Sequence, residues 1–246
     1  MGEKTIGVLG GMGTEATLYL FEKIIQVTPA YREQDQLRVI IDNNPKIPDR
    51  TKAIFGKGEN PVPMMVRSGL SLAKAGADFL VIPCVSAHFF LEELRHQLSL
   101  PIVSILDETG DFLARNHPGL KTVGLVATTG TIHGGFFQKR LLESGIKTLV
   151  SEPDDQQRVM SSIYRIKGFR ANEVREETRE VLIDVANRLI EMGSEAIIAG
   201  CTEIPLVLET VDVSVPLLDT VLILARAAVR EAWQRDLPLS YESISP

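Results

Sequence analysis

The strongest constraint on what this chain can fold into is that it repeats itself at one fixed offset of 117 residues, the distance from Lys4 to Lys121. "KTIGVLGGMGT" (4 to 14) aligns without gaps on "KTVGLVATTGT" (121 to 131), matching Lys4 with Lys121, Thr5 with Thr122, Gly7 with Gly124, Gly13 with Gly130 and Thr14 with Thr131. At the same offset "AGADFLVIPCVS" (75 to 86) falls on "MGSEAIIAGCTE" (192 to 203), pairing Gly76 with Gly193, Asp78 with Glu195 and Cys84 with Cys201. The chain therefore carries two copies of one unit, with a cysteine at the same place in each.

What that unit is follows from its periodicity. Apolar runs at 5–9, 37–41, 79–82, 102–106, 122–127, 147–150, 196–199 and 215–218 are bounded by turn residues and separated by stretches of helical spacing. One such stretch places Val174, Thr178, Val181, Leu182, Val185 and Leu189 on a single face. Strands that are apolar throughout suit a parallel sheet covered by helices on both sides. The expected fold is α/β: two similar lobes, each a parallel sheet flanked by helices, related by internal duplication, with a site between them. The lobes are expected over 1–105 and 106–218, with a C-terminal helix at about 219–236 packing back on the first.

Bulk composition narrows the function. With 246 residues, 44% hydrophobic and 24% charged, the chain can bury a large core. A formal charge of −6 without any concentrated basic stretch argues against nucleic acid as a partner. No apolar run approaches the ~20 residues of a membrane helix. "MGEKTIGVLGGMG" lacks the pattern of a signal peptide, and Ile6 stands where a myristoylation motif wants Ser or Thr. A cytoplasmic location is expected, and there the two cysteines would be thiols rather than a disulfide.

Each cysteine ends a strand, and in open parallel sheets the ligand crevice lies outside the carboxyl ends of the strands. Lobes packed about a pseudo-twofold axis would bring the two thiols to one cleft from opposite sides. A thiolate is a base and a thiol is an acid, so the pair could remove a proton from one face of a carbon and return it to the other. Helices expected just after Cys84 and Cys201 would favour the thiolate through their N-terminal dipoles.

The stretches that carry this pattern resemble the aspartate/glutamate racemase superfamily, and its aspartate racemase branch in particular. "IGVLGGMGTEAT" (6–17), "NPKIPDRT" (44–51), "PCVSAH" (83–88), "IYRIKGF" (163–169) and "AGCTEIPL" (199–206) occur in that order across nearly the whole chain. The resemblance implies a racemase that interconverts L- and D-aspartate, or a close relative such as glutamate, without pyridoxal phosphate or another cofactor, and as a homodimer. It implies that Cys84 and Cys201 are the two acid/base groups, that Arg50 clamps a substrate carboxylate and that Lys167 is the second cation. Met12, Thr128, Thr131 and Thr202 are expected to meet the substrate from the flanking loops.

Three positions depart from the family pattern. Val85 and Ser86 stand where Asn and Thr usually follow the first cysteine, and Thr14 replaces a common proline. Both Val85 and Ser86 are expected at the substrate. Loss of the amide at 85 points to a less polar or differently shaped substrate, or to a binding protein derived from an enzyme. Among other readings, a decarboxylase needs only one proton donor. A nicotinamide dehydrogenase would use "GMGTEA" (11–16) as a dinucleotide fingerprint with Asp42 on the ribose, but leaves the paired cysteines unexplained. His88, four residues after Cys84, is expected either to hold the turn or to tune the thiol, and no metal site is expected from it. Asp107 and Asp219 are expected to cap helices.

Overall fold

The computed structural model describes residues 2–168 and 172–234; Phe169 of the "IYRIKGF" stretch and residues 235 and 236 of the expected C-terminal helix lie outside them. The first lobe holds strands β1 (Ile6–Gly10), β2 (Val39–Asn43), β3 (Phe79–Val81) and β4 (Ile102–Val103) and helices α1 (Thr14–Val27), α2 (Arg50–Ile54), α3 (Val62–Lys74), α4 (Leu91–Gln97) and α5 (Ile105–Asn116). The second holds β5 (Thr122–Val126), β6 (Lys147–Val150), β7 (Ala196–Ala199) and β8 (Leu217–Asp219), with α6 (Thr129–Gly134), α7 (Phe136–Glu143), α8 (Pro153–Gly168), α9 (Asn172–Glu191) and α10 (Thr220–Trp233). All pairings are parallel, and the orders β2-β1-β3-β4 and β6-β5-β7-β8 are the same topology twice.

The repeat has a physical basis at its matched residues. The Asp78 carboxylate accepts from the Thr5 amide at 2.6 Å, and its repeat mate Glu195 accepts from the Thr122 amide at 2.8 Å. Each acid thus satisfies the first amide of the central strand of its own sheet, where the ladder has no partner for it. Gly76 and Gly193 precede these acids with φ of 95° and 102°, the left-handed turn that ends α3 and α9 without the penalty of a side chain.

The run "IVSIL" is divided rather than continuous. β4 ends at Val103 because the Ser104 hydroxyl accepts from the Asp107 amide at 3.2 Å and starts α5 there. Asp107 is therefore not a cap, contrary to expectation; its carboxylate pairs with Arg140 at 3.2 Å. Asp219 does cap α10, accepting from the Val221 and Leu222 amides at 2.8 and 3.1 Å. The Tyr19 hydroxyl of α1 donates to the same carboxylate at 2.8 Å. Burial raises the Asp219 pKa, with these donors opposing the shift.

α10 lies against α1 and α5, and one apolar core runs through both lobes, from Ile6, Val8 and Phe79 to Val123, Leu125 and Phe137, by way of Val221, Leu224 and Ala228. Separate apolar clusters fill the outer face of each sheet. Asp219→Ala leaves a half-buried hydroxyl and two buried amides without an acceptor at this junction. It should cost about 2 to 4 kcal/mol, read as a lower midpoint in denaturant unfolding.

Candidate active site

The carboxyl ends of β3 and β7 deliver Cys84 and Cys201 to one cleft between the lobes, and both thiols are free. Of the ten expected site residues, Arg50, Cys84, Val85, Ser86, Thr128, Lys167, Cys201 and Thr202 line it together. Met12 and Thr131 stand behind the wall. The Met12 side chain is in the first lobe's apolar core, and its contribution is a backbone carbonyl that accepts from Arg50 Nη2 at 3.1 Å.

Arg50 opens α2 directly after its cap, Asp49, and is only 9% exposed. Its Nη1 donates to the carbonyls of Ile47 and Pro48 at 3.0 and 2.8 Å, whereas Nε is buried with no partner. These bonds fix the guanidinium plane. They leave Nε–H and the second hydrogen of Nη2 for an incoming carboxylate, the fork geometry that arginine offers best.

The two cysteines have unlike neighbours because the repeat breaks two residues after each, at Ser86 in one lobe and Glu203 in the other. Ser86 Oγ joins Thr128 Oγ1 at 2.9 Å and Thr131 Oγ1 at 3.0 Å, and the two threonine hydroxyls are 3.0 Å apart. Three buried hydroxyls thus close a ring across the lobe boundary. Thr128 is also the N-cap of α6, accepting from the Thr131 amide at 3.1 Å, so its capping and cleft-lining roles coexist.

At the second cysteine, the Cys201 thiol donates to Glu203 Oε2 at 2.9 Å. Burial pushes this thiol's pKa well up, the Glu203 charge pushes it further, and Lys167 opposes them. Lys167 Nζ lies 3.5 Å from Glu203 Oε1. Burial works against its charge, but Glu203 and then the two cysteines hold its pKa above the ordinary lysine value. The expected dipole at Cys201 is absent. Only the three-residue 3-10 turn Ile204–Leu206 follows it, while Cys84 precedes a longer 3-10 segment, Val85–Phe90. Cys201 is accordingly a protonated thiol at neutral pH rather than a dipole-stabilised thiolate.

Glu203 is a cleft side chain that the sequence did not single out. It is 2% exposed and contacts both Cys201 and Lys167. Gly13 makes room for it, because a Cβ there would sit 2.9 Å from Glu203 Oε1. Gly130, its repeat mate, faces the other lobe in the same way, with Thr51 atoms at 2.8 to 3.1 Å from such a Cβ. The matched glycines therefore permit the close approach of the lobes around the cleft.

His88 bridges two backbone positions. The Ile105 amide can only donate, so Nε2 accepts from it at 3.2 Å, and Nδ1–H donates to the Cys84 carbonyl at 2.9 Å. It thereby fixes the turn that carries Cys84, and only a neutral ring satisfies both partners. Burial lowers its pKa from 6.5 to about 4. Because the folded value lies below the unfolded one, this group's contribution is full above pH 6.5 and is lost as pH falls toward 4. The loss should be about 3 kcal/mol. Denaturant unfolding at pH 7 and pH 4.5 should show about 2 kcal/mol of that drop, and His88→Gln should flatten it.

Two parallel α/β lobes with a cysteine from each lining the cleft at their junction define an enzyme of the two-lobed racemase fold. The chain belongs to the Asp/Glu/Hydantoin racemase family, whose profile matches residues 9–228. It is 27% identical over 228 residues to the broad specificity amino-acid racemase RacX of Bacillus subtilis (strain 168), covering 91% of this chain and 96% of that one. The aspartate racemase of Picrophilus torridus superposes with a TM-score of 0.85 at 30% identity, over 97% of this chain and 98% of that one. Glutamate racemase from Francisella tularensis, at 15% identity and a TM-score of 0.68 over 95% of this chain and 82% of that one, shares the fold. Among the described residues, no helix is long and apolar enough to cross a membrane.

Proposed function

We propose that this chain is an amino-acid racemase that needs no pyridoxal phosphate and works by proton transfer between Cys84, the substrate α-carbon and Cys201. The observation that carries this reading is that the only two cysteines of the chain are repeat mates lining one cleft from opposite lobes. Arg50 takes the α-carboxylate on its free edge, and Lys167 adds positive charge that stabilises the enolate-like carbanion. For one enantiomer Cys84 is the base that removes the α-hydrogen from one face while the Cys201 thiol delivers its proton to the other. For the opposite enantiomer Cys201 must be the base, and Glu203 is placed to accept the proton its thiol now holds.

The substrate class proposed is aspartate or a close relative such as glutamate, as in the aspartate racemase of Picrophilus torridus. Val85 supplies a hydrocarbon where the family commonly has an amide. The similarity to a broad-specificity relative supports including neutral amino acids in the search. Each enantiomer of aspartate, glutamate and a panel of neutral and basic amino acids should be incubated with purified protein and followed by chiral chromatography. Conversion of at least one pair to a racemic mixture is the expected result; binding without conversion of any would assign the cleft to a non-catalytic receptor instead. A homodimer is expected in sedimentation equilibrium.

A further inference from the structure

Away from the cleft, a recess of about 270 Å³ lies between α5 and α10. These helices are repeat mates, since the offset of 117 carries 105–116 onto 222–233. The residues that face the recess recur at helical spacing: Glu108, Phe112 and Arg115 on α5, and Ile223, Arg226 and Arg230 on α10.

The three arginines do not belong to the repeat. Arg226 and Arg230 stand where α5 has Thr109 and Leu113, both fully buried, and Arg115 stands where α10 has the buried Ala232. Each puts a long cation at a position that the other copy gives to the core. A guanidinium so placed needs a polar space to reach into, and the recess is that space. Arg226 is only 8% exposed, with its guanidinium 6.0 Å from the centroid of the Phe112 ring. Glu108 pairs with Arg230. Arg115 Nε donates to the Asp111 carbonyl at 3.3 Å. With one carboxylate against three guanidinium groups, the described lining carries an excess of two positive charges on a chain whose net charge is −6.

The same helices hold the turns of both cysteines. At the start of α5 the Ile105 amide donates to His88, which donates to the Cys84 carbonyl. At the start of α10 the Thr220 hydroxyl donates to the Ala199 carbonyl at 2.8 Å, two residues before Cys201. Whatever joins α5 to α10 therefore bears on the supports of both thiols.

We propose that this recess is a second ligand site, separate from the cleft, and that it takes a compact polyanion, a phosphate or a polycarboxylate, whose charged groups bridge Arg115 of α5 to Arg226 and Arg230 of α10. Guanidinium groups offer such oxygens short, charge-assisted hydrogen bonds.

Titration calorimetry of the wild-type protein with pyrophosphate and with citrate tests it, since these probes carry the two chemistries. Saturable one-to-one binding of at least one is expected, and the tighter of the two names the source. The cleft holds cations as well, so variants decide where the anion sits. Arg115→Ala and Arg226→Gln should each weaken Kd by about tenfold or more, the loss of one hydrogen-bonded charge. Arg50→Gln, in the cleft, should leave it within about twofold. Arg115 is exposed, so its truncation keeps the fold even if Arg226→Gln does not. Amide exchange across 105–116 and 220–233 should slow at saturating anion, because the ligand binds only the native arrangement of the two helices. Binding that is lost in Arg50→Gln and kept in Arg115→Ala would put the anion in the cleft and overturn the site. So would the absence of saturable binding by either anion at about 10 mM. None of these readouts needs turnover, so this site and the racemase reading can fail independently.

Discussion

Cys84→Ala and Cys201→Ala are each expected to lower the rate of enantiomer interconversion by about 10³-fold or more, the scale of a positioned acid or base lost from the transition state. The effect should be equally severe for both, although their surroundings differ, because inversion needs a group on each face of the carbon. Neither substitution should unfold the protein: both thiols face the cleft, and the outer-face apolar clusters to which they belong keep their branched side chains. A variant retaining one thiol can still exchange the α-hydrogen of the enantiomer facing it. Exchange without inversion in one hand, and neither in the other, is therefore the expected signature, read by NMR and chiral chromatography. Full racemisation by either variant would remove the paired-thiol mechanism.

Glu203→Gln should be nearly as damaging, with a loss in kcat/KM of about 10²-fold. The loss must be the same starting from either enantiomer, because their equilibrium constant is one; differences are confined to kcat and KM separately. The pH dependence gives the more specific readout. Burial and the Glu203 charge both raise the Cys201 thiol, so replacing the carboxylate by an amide removes the second of these and leaves the Lys167 cation in place. The thiol should then ionise at lower pH. In the direction that uses Cys201 as the acid, the alkaline limb of the kcat profile should move down with it. An unmoved limb would mean that Glu203 only fills space beside Gly13.

Much of this architecture was legible in the sequence, and for a reason. A duplicated parallel fold writes its chemistry at the ends of apolar runs, so the offset that aligned Asp78 with Glu195 also aligned the cysteines. The structure then showed both acids doing the same work at the strand starts. What could not be read was the direction of side chains in irregular backbone. Glu203 is two residues beyond Cys201 in a segment without period, where nothing in spacing says that it turns back on the thiol. The signal was the break in the repeat, a carboxylate where its mate is Ser86. Met12 illustrates the converse, a loop residue whose carbonyl serves the site while its side chain serves the core. The hydrogen bond that the Tyr164 hydroxyl donates to the Asp49 carboxylate joins residues 115 apart across two lobes, beyond the reach of any local pattern. The helix dipole at Cys201 failed because "CTEIPL" admits only a 3-10 turn before the chain moves on to β8.

The central claim is that two groups, one on each face, carry the proton. A single turnover regime in D2O tests it most directly, using the wild-type protein and one enantiomer of whichever amino acid it converts, sampled before a tenth of the substrate has reacted. The account predicts that product of the opposite hand carries one deuterium at the α-carbon while recovered substrate remains almost entirely protiated. The thiol that donates has exchanged with solvent, whereas the one that abstracts holds substrate hydrogen. Deuterium appearing equally in recovered substrate and product from the earliest times would show a single base serving both faces, and would contradict the opposed roles of Cys84 and Cys201.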